Sequence, residues 1–172
     1  MDLLEALKAR HSIRAFVAKS IEPDKLQAIL DAANRAPSAG NLQAYEIYAV
    51  TRRAVLAALA DAAFGQAFVA QAPVALVFCA NPKRSARRYA QRGTSLYCIQ
   101  DATIACAYAQ LAATALGLAS VWVGAFNDDA VRDAIGVGQD LLPVAVLPIG
   151  HAGQEPEESS RRSLSSLVHY IS

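Results

Sequence analysis

Residues 102–127 carry no charged side chain. A stretch of that length either crosses a bilayer or is buried inside protein. It holds Thr103, Gln110, Thr114, Gly117 and Ser120. Its first half is alanine-rich and helical, and Ser120-Val121-Trp122-Val123 is β-prone. The pattern therefore reads as a buried helix from about Ser95 to Leu116, a glycine stop and a strand, not a membrane span. The helix is apolar nearly all round, which calls for cover on every face. A small domain hardly supplies that alone, so a subunit interface is expected. With 54% hydrophobic and 18% charged residues, the composition is apolar-rich for a lone chain and agrees.

A length of 172 residues fits one domain spanning 1–172. It can bury a core without disulfide or metal staples. The net charge of +1 points to no nucleic acid, membrane or acidic partner. Cys79, Cys98 and Cys106 show neither Cys-x-x-Cys spacing nor a histidine pair, so they read as small buried residues in a reducing, cytoplasmic setting, with no metal. Met1-Asp2-Leu3-Leu4-Glu5 has no basic or long apolar secretory region.

Asp2 can cap a first helix with Leu3, Leu4 and Leu7 on one face. Pro23 suits the start of a second helix that turns Leu26, Ile29, Leu30 and Ala33 inward. Pro37 and Gly40 break it. Strands are expected over 45–50, 74–80 and 142–149, with Pro143 and Pro148 at the ends or the edge of the last. Thr51 can cap a helix through about Ala60, and Asn127 one through about Ile135. Helices and strands do not alternate strictly, which favours an α+β class.

Four polar segments carry the chemistry. Arg10-His11-Ser12-Ile13-Arg14 places two guanidiniums and a hydroxyl where the first helix runs out. Such donors suit a phosphate monoester, and on a helix Arg10 and Arg14 would share a face. They equally suit a helix dipole. Pro37-Ser38-Ala39-Gly40-Asn41-Leu42-Gln43 offers amides with both donor and acceptor, matching the edge of a polar ring, or forms an ordinary turn. Val123-Gly124 ends a strand at a glycine that lets backbone approach a ligand, or marks a plain strand-to-helix turn. Arg161 supplies a further cation if the tail folds back, or a solvated pair with Arg162.

The order and spacing of these segments, with Gln100-Asp101-Ala102 and the terminal Arg161-Arg162-Ser163-Leu164, resemble the nitroreductase family over nearly the whole chain. The resemblance implies an α+β nitroreductase-like fold with a central, mostly antiparallel sheet flanked by helices. It implies an intertwined homodimer whose C-terminal segments reach across to the partner. It implies two flavin mononucleotide (FMN) sites, each built from both subunits, with NADH or NADPH as electron donor. By that likeness Arg10, Ser12 and Arg161 would hold the phosphate and Arg14 would lie near flavin N1 and O2. Ser38, Asn41 and Gln43 would come from the other subunit. Gly124 would present its N–H to N5 beside Val123, and His11, Pro37 and Ala39 complete the cofactor-binding set. Ser159 stands where many relatives carry a cation, and Arg14 where many carry lysine.

The implied activity is ping-pong reduction of nitroaromatics, quinones or related acceptors, with no side chain as obligatory acid or base. His11, His151 and His169 are therefore not assigned to catalysis. The same likeness extends to flavin destructases, dehalogenases and azoline oxidases, and a non-catalytic flavin-binding module is a further alternative. Residues 83–92 hold Lys83, Arg84, Arg87, Arg88 and Arg92 with no acidic residue. They form a solvated face, or an attractor for the phosphates of NADH or NADPH or for an acidic substrate.

Overall fold

A capping box starts the chain: the Asp2 side chain accepts from the Glu5 amide, the Glu5 side chain accepts from the Asp2 amide, and α1 runs Leu3–Ala9. The computed structural model describes residues 1–171. Pro23 is the first residue of α2 (Pro23–Asn34). β1 (Tyr45–Val50) follows, then α3 (Arg53–Ala62) and the short α4 (Phe68–Gln71). β2 (Val74–Ala80) leads into α5 (Pro82–Arg92) and a π-helical turn, Gly93–Tyr97. That turn opens α6 (Cys98–Ala115), which is followed by β3 (Ala119–Ser120), α7 (Asp128–Ile135) and β4 (Leu142–Gly150).

The strands form one antiparallel sheet in the order β1-β2-β4-β3. The period of two along β2 builds both cores. Val74, Leu76, Phe78 and Ala80 meet Ile29 and Ala33 of α2 and Ala102, Ala105 and Ala109 of α6. Ala75, Val77 and Cys79 meet Leu56 and Leu59 of α3 and Val131 of α7. The sheet is thus flanked by helices on both faces, the α+β architecture expected. All three cysteines are buried.

Gly117, with φ of 75°, ends the uncharged helix and sends the chain into β3. Among the described residues no helix is long and apolar enough to cross a membrane. One side of α6 is nevertheless uncovered. Ile104, Leu111 and Ala112 are only half-buried and Tyr108 is 41% exposed. Tyr108, Leu111 and Ala112 line an apolar groove of about 550 Å³ with Leu3 and Leu7 of α1. The leucine face of α1 therefore does not pack on the chain's own core: Leu3, Leu4 and Leu7 are exposed, and Ala6 is the buried residue of that helix.

Several local expectations change. Arg52, not Thr51, precedes α3, without a side-chain cap. The basic run folds as α5, capped by Asn81, whose side chain accepts from the Arg84 amide. Pro143 and Pro148 lie inside β4, a central strand. The ladder lapses beside each. Pro143 sits opposite Cys79, at a register shift in β2. Val146 exchanges both its hydrogen bonds with Val123, so the alternate residue, Pro148, turns its bare nitrogen to the same side. There the pairing is broken between Ser120 and Val123.

Candidate functional site

α1 stops at Ala9, and Arg10 is already extended, with φ −70° and ψ 112°. The helical i,i+4 relation between Arg10 and Arg14 is therefore absent. Extended chain restores the grouping by its period of two: Arg10, Ser12 and Arg14 fall on one side, and buried Ile13 points to the other. The strip is pinned on both flanks. The Ile13 amide donates to Ser120 O at 3.1 Å, and Ser12 bridges Ser120 in parallel. The Arg14 amide donates to Gln154 Oε1 at 3.2 Å, and His11 Nδ1 lies 2.9 Å from the Glu157 carbonyl.

Neither the Arg10 nor the Arg14 guanidinium has a hydrogen-bonded or carboxylate partner among the described residues. Two cations on a rigid strip without a counter-charge suit an anion. Val123 is buried and fixed by its two bonds to Val146. The next residue, Gly124, is exposed, and its N–H has no acceptor among the described residues. Arg161 follows four residues after Glu157, but its guanidinium turns back onto its own segment. It donates to Ser159 Oγ at 2.8 Å and to Ser160 O at 2.9 Å.

The amide loop is built elsewhere. Residues 39–41 form a 3₁₀ turn, and Gly40, Asn41 and Gln43 take positive φ of 57°, 55° and 43°. Gly40 also keeps room for α5: a Cβ there would lie 2.6 Å from the Tyr89 hydroxyl, which would have to shift. Ser38 Oγ accepts from the Gln43 amide at 2.9 Å. The Gln43 side chain donates to the Asn41 carbonyl and, at 2.6 Å, to Asn41 Oδ1. Asn41 Nδ2 and Gln43 Oε1 stay available as one donor and one acceptor. Pro37, Ser38 and Ala39 line a cavity of about 480 Å³ with Tyr97, Gln100 and Ile104.

Sequence reasoning did not single out the residue that holds this loop. Asp101, 2% exposed in the first turn of α6, accepts from Ala39 N at 2.9 Å and from Ala44 N at 3.3 Å. One buried carboxylate thus clamps both ends of the loop. Burial, and then this carboxylate, push the Tyr45 phenol above its usual value. The available signal was its position: Asp101 is the last charge before the uncharged stretch.

The structure brings residues 10–14, 120–124 and 154–157 together, and keeps 37–43 apart from them. The first group sits at the C-terminal end of α6, where His11 and Ile13 line a cavity with Thr114 and Gly117. The amide loop is clamped at the opposite end. At 1.5 Å per residue, Asp101 and Thr114 lie roughly 20 Å apart along the helix. Within one chain the two groups therefore stand at opposite ends of this helix.

The Nitroreductase family model matches residues 7–70 and 64–151. The chain is 31% identical over 195 residues to an NADH dehydrogenase of Thermus thermophilus, covering 98% of this chain and 95% of that one. It is 31% identical over 173 residues to an oxygen-insensitive NADPH nitroreductase of Salmonella typhimurium, covering 96% and 72%. The solved structure of a Vibrio harveyi NADPH:FMN oxidoreductase complexed with NAD+ superposes with a TM-score of 0.89 at 29% identity, covering 99% of this chain and 77% of that chain.

Proposed function

The chain belongs to the nitroreductase family, and we propose that it is an FMN-dependent oxidoreductase that takes reducing equivalents from NADH or NADPH and passes them to a nitroaromatic, quinone or related acceptor by a ping-pong mechanism. FMN, when bound, supplies a centre that accepts hydride at N5 and releases it to the acceptor.

The observation that carries this reading is the division of the donor set between the two ends of α6. A strip with two unpaired arginines stands at one end, and a loop with a free amide donor and acceptor at the other. A ligand with a phosphate at one extremity and a polar heteroaromatic edge at the other fits both halves, provided two chains meet. Arg10 and Ser12 would bind the phosphate, joined by Arg161 once its guanidinium leaves the Ser159–Ser160 turn. Arg14 would place a cation where negative charge grows during reduction, which stabilises that charge. The Gly124 N–H would donate to the ring. Ser38, Asn41 and Gln43 of the second chain would bind the ring edge.

Three features support the homodimer. α6 and α1 leave an apolar groove open. β1, an edge strand, leaves one side unpaired. Leu164, Leu167, Val168, Tyr170 and Ile171 are exposed on a tail with no core of its own. The tail is the segment free to cover the partner. Anaerobic titration of the purified protein with each nicotinamide, followed by absorbance, tests the reading. A bound flavin that bleaches with NADH or NADPH and recovers with a nitroaromatic or quinone is expected. A colourless protein that takes up no added FMN overturns it.

A further inference from the structure

α5 carries five cations and no acid. Lys83 is neutralised by Asp140 at 2.6 Å. Arg84, Arg87, Arg88 and Arg92 have no carboxylate partner among the described residues. Like charges one turn apart repel, and Arg84 lies in the first turn, where the helix dipole disfavours a cation. Three of these charges, Arg84, Arg88 and Arg92, are also positioned on the candidate site. Arg84 Nε donates to the Leu42 carbonyl of the amide loop. Arg88 closes over Gly40, whose Cβ would lie 3.0 Å from Nη1. Arg92 Nε donates to the Tyr97 hydroxyl at 2.9 Å, and Tyr97 lines the cavity beside Ser38 and Ala39. Backbone and phenol partners order the guanidiniums without cancelling their charge, and most of their N–H groups remain open.

We propose that α5 is a phosphate-recognition element at the rim of this site, and that it takes the phosphates of the nicotinamide dinucleotide donor, the 2′-phosphate included. The charge count selects this occupant. A pyrophosphate brings about two negative charges, and a 2′-phosphate adds up to about two more. Four unneutralised guanidiniums match the sum, which identifies NADPH over NADH as the preferred donor. The naming of the dinucleotide rests on the oxidoreductase reading, whereas the anion site rests on α5 alone.

Calorimetric titration of the full-length protein with adenosine 2′,5′-bisphosphate and with 5′-AMP separates the two. The bisphosphate is expected to bind at least about tenfold more tightly, with the advantage shrinking in high salt. Arg88→Gln with Arg92→Gln removes the advantage; Arg84 is kept because it holds Leu42. Equal affinity for the two nucleotides in the unaltered protein, or an advantage that survives the substitutions, overturns the proposal. So does an effect of the substitutions on the KM of a carboxylated nitroaromatic with none on nucleotide affinity, which assigns α5 to the acceptor. A flavin-free protein that still prefers the bisphosphate sinks the oxidoreductase reading and sustains the anion site. A flavin-loaded enzyme indifferent to the 2′-phosphate sinks only the inference drawn from α5.

Discussion

Replacing Asp101 with alanine removes both clamps of the amide loop in one step. The Ala39 and Ala44 amides lose acceptors at 2.9 and 3.3 Å, and Ala44 is fully buried. A hydrogen bond to a charged acceptor contributes about 1.5–3 kcal/mol, so the pair is worth roughly 3–6 kcal/mol. The loop also holds two non-glycine residues at positive φ, Asn41 and Gln43, each at a cost of about 1–2 kcal/mol. Without Asp101 that strain is no longer offset. In a chain of this size each kcal/mol moves Tm by roughly 2–4 °C, so Asp101→Ala should lower Tm on the order of 10 °C. Asp101→Asn keeps one acceptor oxygen and should lose about half as much.

A merely structural Asp101 would lower Tm and leave ligand affinity alone. FMN affinity measured by fluorescence quenching well below either Tm is therefore the decisive assay. We expect it to weaken by about tenfold or more in Asp101→Ala, with Asp101→Asn in between. An alanine variant with Tm within about 2 °C of the parent and unchanged FMN affinity would refute the clamp.

Arg10→Ala combined with Arg161→Ala should weaken FMN binding by at least about a hundredfold, read as flavin lost on gel filtration, since two charge-assisted contacts go. A double variant that purifies fully loaded would show that the phosphate lies elsewhere. Burial pushes the Cys79 thiol up to about 12 and raises Cys98 and Cys106 as well. Unfolded thiols ionise from about pH 8.5, so above that the unfolded chain holds fewer protons than the native one and stability falls as pH rises. The urea midpoint should decline between about pH 9 and 11, and a flat or rising midpoint would contradict this.

The fold was legible wherever burial follows one period. β1 and β2 came out with their bounds, and so did the inward face of α2 and the cap at Asn127. What escaped has a physical cause. The basic run showed no apolar stripe, because α5 packs through Ser85 and Gly93, which are in contact without a Cβ between them, and through Tyr89. The prolines of β4 looked like strand ends because the lapses in pairing that accommodate them belong to other strands. Residues 10–14 were legible as a polar group, but Arg10 and Arg14 share a side as extended chain and not as helix, because α1 ends at Ala9. The role of Asp101 escaped because nothing local says that a carboxylate on one helix will bind amides some sixty residues earlier.

The separation of the two half-sites along α6 is tested most directly by mixing chains. One chain carries Arg10→Ala and Arg14→Ala, its partner carries Asn41→Ala and Gln43→Ala, and each bears its own affinity tag. Either variant as a homodimer has both sites damaged. In the mixed dimer one site collects every substitution and the other collects none, so one tightly held flavin per dimer is expected. A mixed dimer that holds no flavin would mean that both halves of a site come from a single chain.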